Sequence, residues 1–186
     1  VENKYPQQNW VVDTRFRQVG LGGSQIRDNN TDTLFNNLMT KYRFAGADKK
    51  GMYYDEENRR HLLNIRALYG EAAGNLADIG RKEDAKKLLD KVEQGILAEN
   101  FPYAMTGRYN SHNQTGLIYL EACYKAGKAD LAEKVRLALR KDLEQQKAYY
   151  TYLKTSRPEL YGAFERSEDP INESLLMVLD AIEKQY

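Results

Sequence analysis

The sequence has few of the residues that build metal centres and disulfides. Cys123 is the only cysteine among 186 residues, which excludes an internal disulfide and a multi-cysteine metal site. The two histidines, His61 and His112, lie far apart in the sequence and belong to no His-Glu-x-x-His pattern. We therefore predict that the chain holds no metal ion and needs no cofactor.

Excess charge of one sign and long apolar runs are also missing. The chain has 28 Lys and Arg against 27 Asp and Glu, a net charge of +1. Because nucleic-acid-binding proteins concentrate basic residues, we expect no nucleic-acid partner. The apolar runs are short, as at 175–179, and none is long enough to span a bilayer or to serve as a secretory signal. The chain starts with Val1 rather than methionine, and we expect it to be part of a longer product.

Apolar residues recur every three or four positions in several segments after residue 31, which is typical of amphipathic helices. Asp55 is expected to cap one of these helices, and Asp169 with Pro170 to begin the last one. The pattern predicts helices over 32–43, 55–80, 85–96, 130–154 and 170–185, with a further helix ending at Gly127.

One pattern occurs twice, 47 residues apart. ADIGRKEDAKKLLDKV aligns with YKAGKADLAEKVRLAL, which places Gly80 on Gly127 and Ala85 on Ala132. A glycine permits the tight turn between two helices, and the alanine five residues later allows the helices to pack closely. The pattern predicts two antiparallel hairpins like those of tetratricopeptide repeats. The usual period is about 34 residues, and the extra residues are assigned to a loop at 99–113.

The predicted fold is all-α, with tetratricopeptide-like hairpins and two capping helices. Two hairpins are fewer than the roughly three repeats that a helical solenoid needs, so the helices at 32–43 and 170–185 are expected to cap its open ends. We divide the chain into an irregular N-terminal segment, residues 1–31, packed on one helical-repeat domain, residues 32–186.

The densest polar run admits two interpretations. As a helix start, Asp55 caps the helix and Glu56 pairs with Arg60 one turn later. As an active site of a small enzyme for glycans or peptides, Asp55, Glu56, Glu57 and His61 would have to line one pocket. We favour the helix start, and we expect both histidines to be exposed. The full structural motif is Asp55, Glu56, Asn58, Arg59 and Arg60, together with the turn residues Gly80, Ala85, Gly127 and Ala132.

Several segments together resemble a known family. They are NLMTKYRFAG (37–46), MYYDEENRRHLLNIRALYGEAAGNLADIGRKEDAKKLLDK (52–91), FPY (101–103), YLEACYKAGKADLAEKVRLAL (119–139) and YYTYL (149–153). They resemble the C-terminal region of a family of large Bacteroidetes membrane proteins, long labelled a domain of unknown function. Its members look like protein O-mannosyltransferases of the GT-C type with a soluble tetratricopeptide-like tail.

The resemblance implies a role and a location. A tail of this kind lies on the extracytoplasmic, periplasmic face of the membrane and binds or positions acceptor polypeptides or partner subunits. The catalytic carboxylates of the family lie in membrane helices that this sequence lacks, so we expect no catalytic residue and no enzymatic activity in this chain alone. The contact with the membrane would run through a missing N-terminal region. The alternative is a free-standing helical-repeat scaffold that binds a helix or an extended peptide.

If the hairpins form a binding groove, we expect it on the inner faces of the first helices of the two hairpins. Polar and aromatic side chains in these segments suit the recognition of extended chains. The candidate ligand-binding residues are Asn64, Arg66, Asn75, Arg108, Tyr109 and Tyr119.

Overall fold

The computed structural model of the protein describes residues 31–186, which are helical with short connections and contain no β-strand. The predicted all-α class is confirmed for these residues, whereas the predicted packing of segment 1–31 lies outside them. Short 3-10 helices precede α4 and α6, at Arg108–Asn110 and Pro158–Leu160. The α-helices are α1 (Thr31–Thr40), α2 (Glu56–Asp78), α3 (Lys82–Gly95), α4 (Ser111–Ala126), α5 (Ala129–Ser156) and α6 (Ala163–Gln185).

Two hairpins, α2 with α3 and α4 with α5, have the same turn. Gly80 and Gly127 both have positive φ angles, of 84° and 75°. Each glycine closes a Schellman motif, in which two N–H groups beyond the helix satisfy its last carbonyls. The equivalent bonds are Gly80 N to Ala77 O (3.0 Å) and Arg81 N to Leu76 O (2.8 Å) in the first turn, and Gly127 N to Tyr124 O (2.9 Å) and Lys128 N to Cys123 O (2.9 Å) in the second.

The alanines predicted to let the helices approach are both inside. Ala85 and Ala132 have no exposed surface and belong to one continuous core. The first helices of the two hairpins, α2 and α4, pack side by side, and α1 and α6 cover the two ends of this layer. Among the described elements, α1 contacts α2 and α3, and α6 contacts α4 and α5.

The last helix begins seven residues earlier than the sequence predicts. Its start is at Gly162, whose N–H donates to the carboxylate of Glu165 (2.9 Å), and Pro170 lies on the exposed side of the helix interior. Asp169 does not cap the helix; its buried carboxylate instead accepts a hydrogen bond from Tyr161 Oη (2.6 Å) and pairs with Lys154. The prediction of an N-cap at Asp169 was wrong because the contacts of this residue are tertiary.

The matching turns allow a test with alanine. In place of Gly80 or Gly127, a Cβ would meet no atom within 4 Å, so only the left-handed backbone resists it. We expect Gly80→Ala and Gly127→Ala each to lower the free energy of unfolding by about 1 kcal/mol, measured by urea denaturation. Gly107 is the control, because its Cβ would also meet nothing but its φ of −166° suits any residue. A loss at Gly107 equal to that at the two turns would contradict this account.

Candidate functional site

The two hairpins meet along a line between α2 and α4. A Cβ on Gly70 would lie 3.3 Å from Cδ2 of Tyr119, and one on Gly74 would lie 3.8 Å from Cβ of Ala122. One turn further along, Asp78 accepts a hydrogen bond from Lys125 (3.0 Å). The small residues let the two helices run close together. We call the surface along this line the seam; it comprises Ala67, Glu71, Gly74 and Asp78 of α2 and Thr115, Ile118, Ala122 and Lys125 of α4.

Ion pairs lie toward both ends of the exposed side of α2, but only one set joins α2 to α4. At the C-terminal end, Lys125 bridges Asp78 (3.0 Å) and Glu121 (3.1 Å). Toward the N-terminal end, Arg60 pairs with Glu57 of the same helix (2.6 Å).

Glu71 lies between these ends. It is half-buried, and it has no hydrogen bond or ion pair with any residue in the described part of the chain. Burial raises the pKa of its carboxyl group above the ordinary value. A carboxylate in this position has lost part of its hydration and gained no partner, so it is a favourable place for a cation from outside.

The loop between the hairpins is packed on the middle of α2 by Arg66. Its guanidinium donates to Pro102 O (2.6 Å) and Phe101 O (2.7 Å), and it lies over the Phe101 ring at 4.5 Å. Nε2 of His112 is also bonded to Pro102 O (2.8 Å). The prediction that His112 is exposed was wrong: only 4% of its surface is accessible, because it lies in the first turn of α4 under the loop.

A second set of polar groups holds the end of this loop. Tyr109 and Asn110 both have left-handed backbones, with φ of 56° and 51°, a conformation that costs non-glycine residues about 1–2 kcal/mol each. Tyr109 N–H donates to buried Glu168 of α6 (2.8 Å), and Asn110 Nδ2 donates to Gln146 of α5 (2.9 Å). Asn113 connects Asn110 Oδ1 (2.7 Å) to Asp142 Oδ2 (2.6 Å). These bonds stabilise the strained turn.

The six candidate binding residues fall into three places. Asn64 and Asn75 are exposed on α2, beside the seam. Arg66 and Tyr119 are in the interior, where Arg66 holds the loop and Tyr119 donates to Glu93 (2.8 Å). Arg108 and Tyr109 are exposed at the end of the loop, with the guanidinium 4.8 Å from the ring centroid.

The polar run at the start of α2 forms a capped helix end. Asp55 Oδ1 accepts from Asn58 N (2.8 Å) and Asn58 Nδ2 (2.9 Å), which confirms its predicted role as N-cap. The predicted Glu56–Arg60 pair was wrong. Arg60 reaches Glu57, three residues away, and His61 also contacts Glu57 (3.2 Å).

Asp55, Glu56, Glu57 and His61 are all exposed, as are Arg59 and Arg60. The four candidate acid–base groups therefore point to solvent rather than enclosing a substrate. His61 lies on the surface as predicted.

Other features of the described residues offer little chemistry. No group of three His, Cys, Asp or Glu residues within 31–186 could hold a metal ion. The thiol of Cys123 is buried, and burial raises its pKa well above the ordinary value. An open depression of about 440 Å³ between α3 and the start of α5 is lined by charges of both signs, and one of its lysines, Lys128, pairs with Asp90.

Within residues 31–186, no helix is both long and apolar enough to cross a bilayer.

Sequence reasoning missed Glu71 and the buried polar groups under the loop. Glu71 could have been found, because it lies between Gly70 and Gly74 on a helix whose small residues mark a close neighbour. Asn110, Gln146 and Glu168 carry no such signal, since their partners come from three separate elements.

The fold and the site define an all-α protein of two stacked hairpins with a polar seam. Comparison of the chain with protein-family models, with curated proteins and with solved structures finds no match. The family suggested by the sequence motifs therefore stays a prediction.

His112 predicts a pH dependence of stability. Burial, opposed by its bond to Pro102 O and reinforced by nearby Arg66, lowers its pKa to about 4. The unfolded chain thus binds a proton between about pH 6.5 and pH 4 that the folded chain does not, so stability falls as the pH drops through this window. Between pH 6.5 and pH 4, we expect the free energy of unfolding of wild type to fall by up to about 3 kcal/mol more than that of His112→Gln, as measured by urea denaturation.

The control is His61→Gln, at the exposed histidine, which should keep the wild-type dependence. Equal slopes for wild type and His112→Gln between pH 4 and pH 6.5 would show that His112 is not the responsible group.

Proposed function

We propose that this chain is a non-catalytic, tetratricopeptide-like interaction domain that holds an extended polypeptide along the seam. The observation that carries the proposal is the half-buried, unpartnered Glu71 between two ion-paired ends. Two equivalent hairpin turns and buried alanines at equivalent positions support the repeat character. The polypeptide would place a lysine or arginine side chain on Glu71.

The flanks of the seam suit a peptide backbone. Asn64 and Asn75 are exposed, and each carboxamide offers both a donor and an acceptor, as a peptide group does. Asn64 and Asn75 are eleven positions apart on the helix, a distance of about 16 Å along its axis. An extended chain covers that distance in about five residues. The two amides can therefore hold both ends of a short segment whose central side chain reaches Glu71.

The charge balance favours a basic segment. The seam and its flank contain the carboxylates of Glu71, Asp78 and Glu121 against the single ammonium of Lys125. Since Lys125 is already shared between Asp78 and Glu121, only Glu71 is left to attract a cation. A charge-assisted bond of this type is stronger than a neutral hydrogen bond and gives the seam a preference for basic peptides.

The test is selection from a display library of random ten-residue peptides, followed by fluorescence polarisation with the selected peptides. We expect the selected peptides to be enriched in Lys or Arg. Glu71→Gln should weaken their binding about fivefold, equivalent to about 1 kcal/mol. Asn64→Ala with Asn75→Ala should weaken it further. Glu99→Gln is the matched control, because Glu99 is exposed on the loop after α3 and should leave binding unchanged. Peptides that bind Glu71→Gln as tightly as wild type would overturn the proposal.

We further propose the parent protein that the sequence motifs imply, a periplasmic-facing membrane protein resembling a glycosyltransferase. The seam would then hold acceptor polypeptides or a partner subunit near the membrane-embedded enzyme. The support is the set of motifs at 37–46, 52–91 and 119–139.

This second proposal predicts the gene. We expect the coding sequence upstream of Val1 to specify several apolar segments of about 20 residues each, and the full-length protein to fractionate with membranes. A reading frame that starts close to Val1 would instead favour the free-standing scaffold, which would use the same seam.

A further inference from the structure

The last helix has an outer face without charge. The side chains on this face repeat every three or four positions over the length of α6, although 30% of all residues in the chain are charged. Met177 is 65% exposed and Phe164 is 56% exposed. The central residues of this face, which we call the α6 face, are Ala163, Ser167, Pro170, Ser174, Met177 and Ala181.

One edge of the α6 face carries two opposite charges that are two helical turns apart. Arg166 and Glu173 are exposed, have opposite charges, and lie seven residues apart, so they are on the same side of the helix. Arg166 donates only Nε, to its own helix at Gly162 O (3.2 Å). Glu173 makes no hydrogen bond or ion pair with another residue of 31–186, and the nearby Lys154 is already paired with Asp169. Both charged groups are available to a partner.

We propose that the α6 face pairs with the same face of a second copy of this chain, with the two helices antiparallel about a two-fold axis beside Pro170. In this register Arg166 of each copy lies opposite Glu173 of the other, so the edge is complementary to itself. In a parallel two-fold pairing this edge would lie on opposite sides of the contact in the two copies, so Arg166 and Glu173 would not meet; only the antiparallel arrangement brings the edge against itself.

The uncharged residues fit the same register. Around the axis, Ser167 and Pro170 allow close approach of the two helices. The overlap covers residues 163–177, about 22 Å of helix. This is a small interface, so we expect a dimer that forms at micromolar concentration or above.

The test is sedimentation of the chain from about 10 to about 500 μM, the range in which so small an interface should form. Wild type should shift from the 21.5 kDa chain mass toward twice that mass. Arg166→Glu and Glu173→Arg should each weaken the dimer at least about tenfold, because each places like charges opposite one another at both contacts. A 1:1 mixture of the two variants should restore the dimer. One variant then has a glutamate at both positions and the other has an arginine at both, so the mixed pair is complementary at both contacts.

Lys184→Glu is the matched control, because this exposed lysine on the same edge lies outside the overlap and should have no effect. Circular dichroism confirms that each variant is folded, and Met177→Glu tests the apolar part of the face independently. The proposal is overturned by a wild-type chain that stays monomeric at the highest concentration, by a dimer that ignores both charge reversals, or by a mixture of folded variants that stays monomeric.

Discussion

The contact between α2 and α4 is the constraint on which the rest of the structure depends. Gly70 lies so close to Tyr119 that any side chain there would meet the tyrosine ring and its backbone. The first helices of the two hairpins run in the same direction, and they approach closely where Gly70 meets Tyr119 and Gly74 meets Ala122. Because α3 is antiparallel to α2, it returns the chain to the side of the layer where α4 starts, and the loop after α3 then joins the two hairpins.

The loop between the two hairpins explains where the buried polar groups lie. The loop runs against helices rather than through solvent, and its carbonyls need partners because unpaired backbone groups are costly in the interior. Arg66 and His112 supply them at Pro102, and Arg66 also binds Phe101. A cluster of buried Arg, His and carboxamide groups resembles an active site in composition. Here most of its polar groups bond to the backbone and to one another, and among the described residues the Nε of Arg66 is a buried exception. The carboxylate of Glu71, by contrast, is partly open to solvent.

The sequence was informative where structure is local. The turns at Gly80 and Gly127 follow from a backbone conformation that glycine adopts easily, and the cap at Asp55 from one side chain and one N–H group three residues away. It was uninformative where burial depends on a distant segment. Arg66 lies on the buried face of α2, four residues after Leu62 and three before Tyr69, but its charge suggests a surface residue, and the carbonyl groups that accept its hydrogen bonds come from a loop 35 residues later. Pro170 looks like a helix start because its neighbour Asp169 resembles a cap, yet that carboxylate is held by Tyr161 and Lys154. Of the candidate binding residues on these helices, Asn64 and Asn75 are exposed, whereas Tyr119 is buried.

The seam and the α6 face lie on different helices and do not compete. The buried side of α6 faces α5 and α4, so its outer face points away from the layer that contains the seam. A second copy bound at α6 would therefore leave both seams open. The proposed dimer would present two seams, and a polypeptide with two basic segments would bind both more tightly than either alone, because the second contact becomes intramolecular. Weak pairing through a small interface would be sufficient for this effect, since the bound polypeptide itself would hold the two copies together.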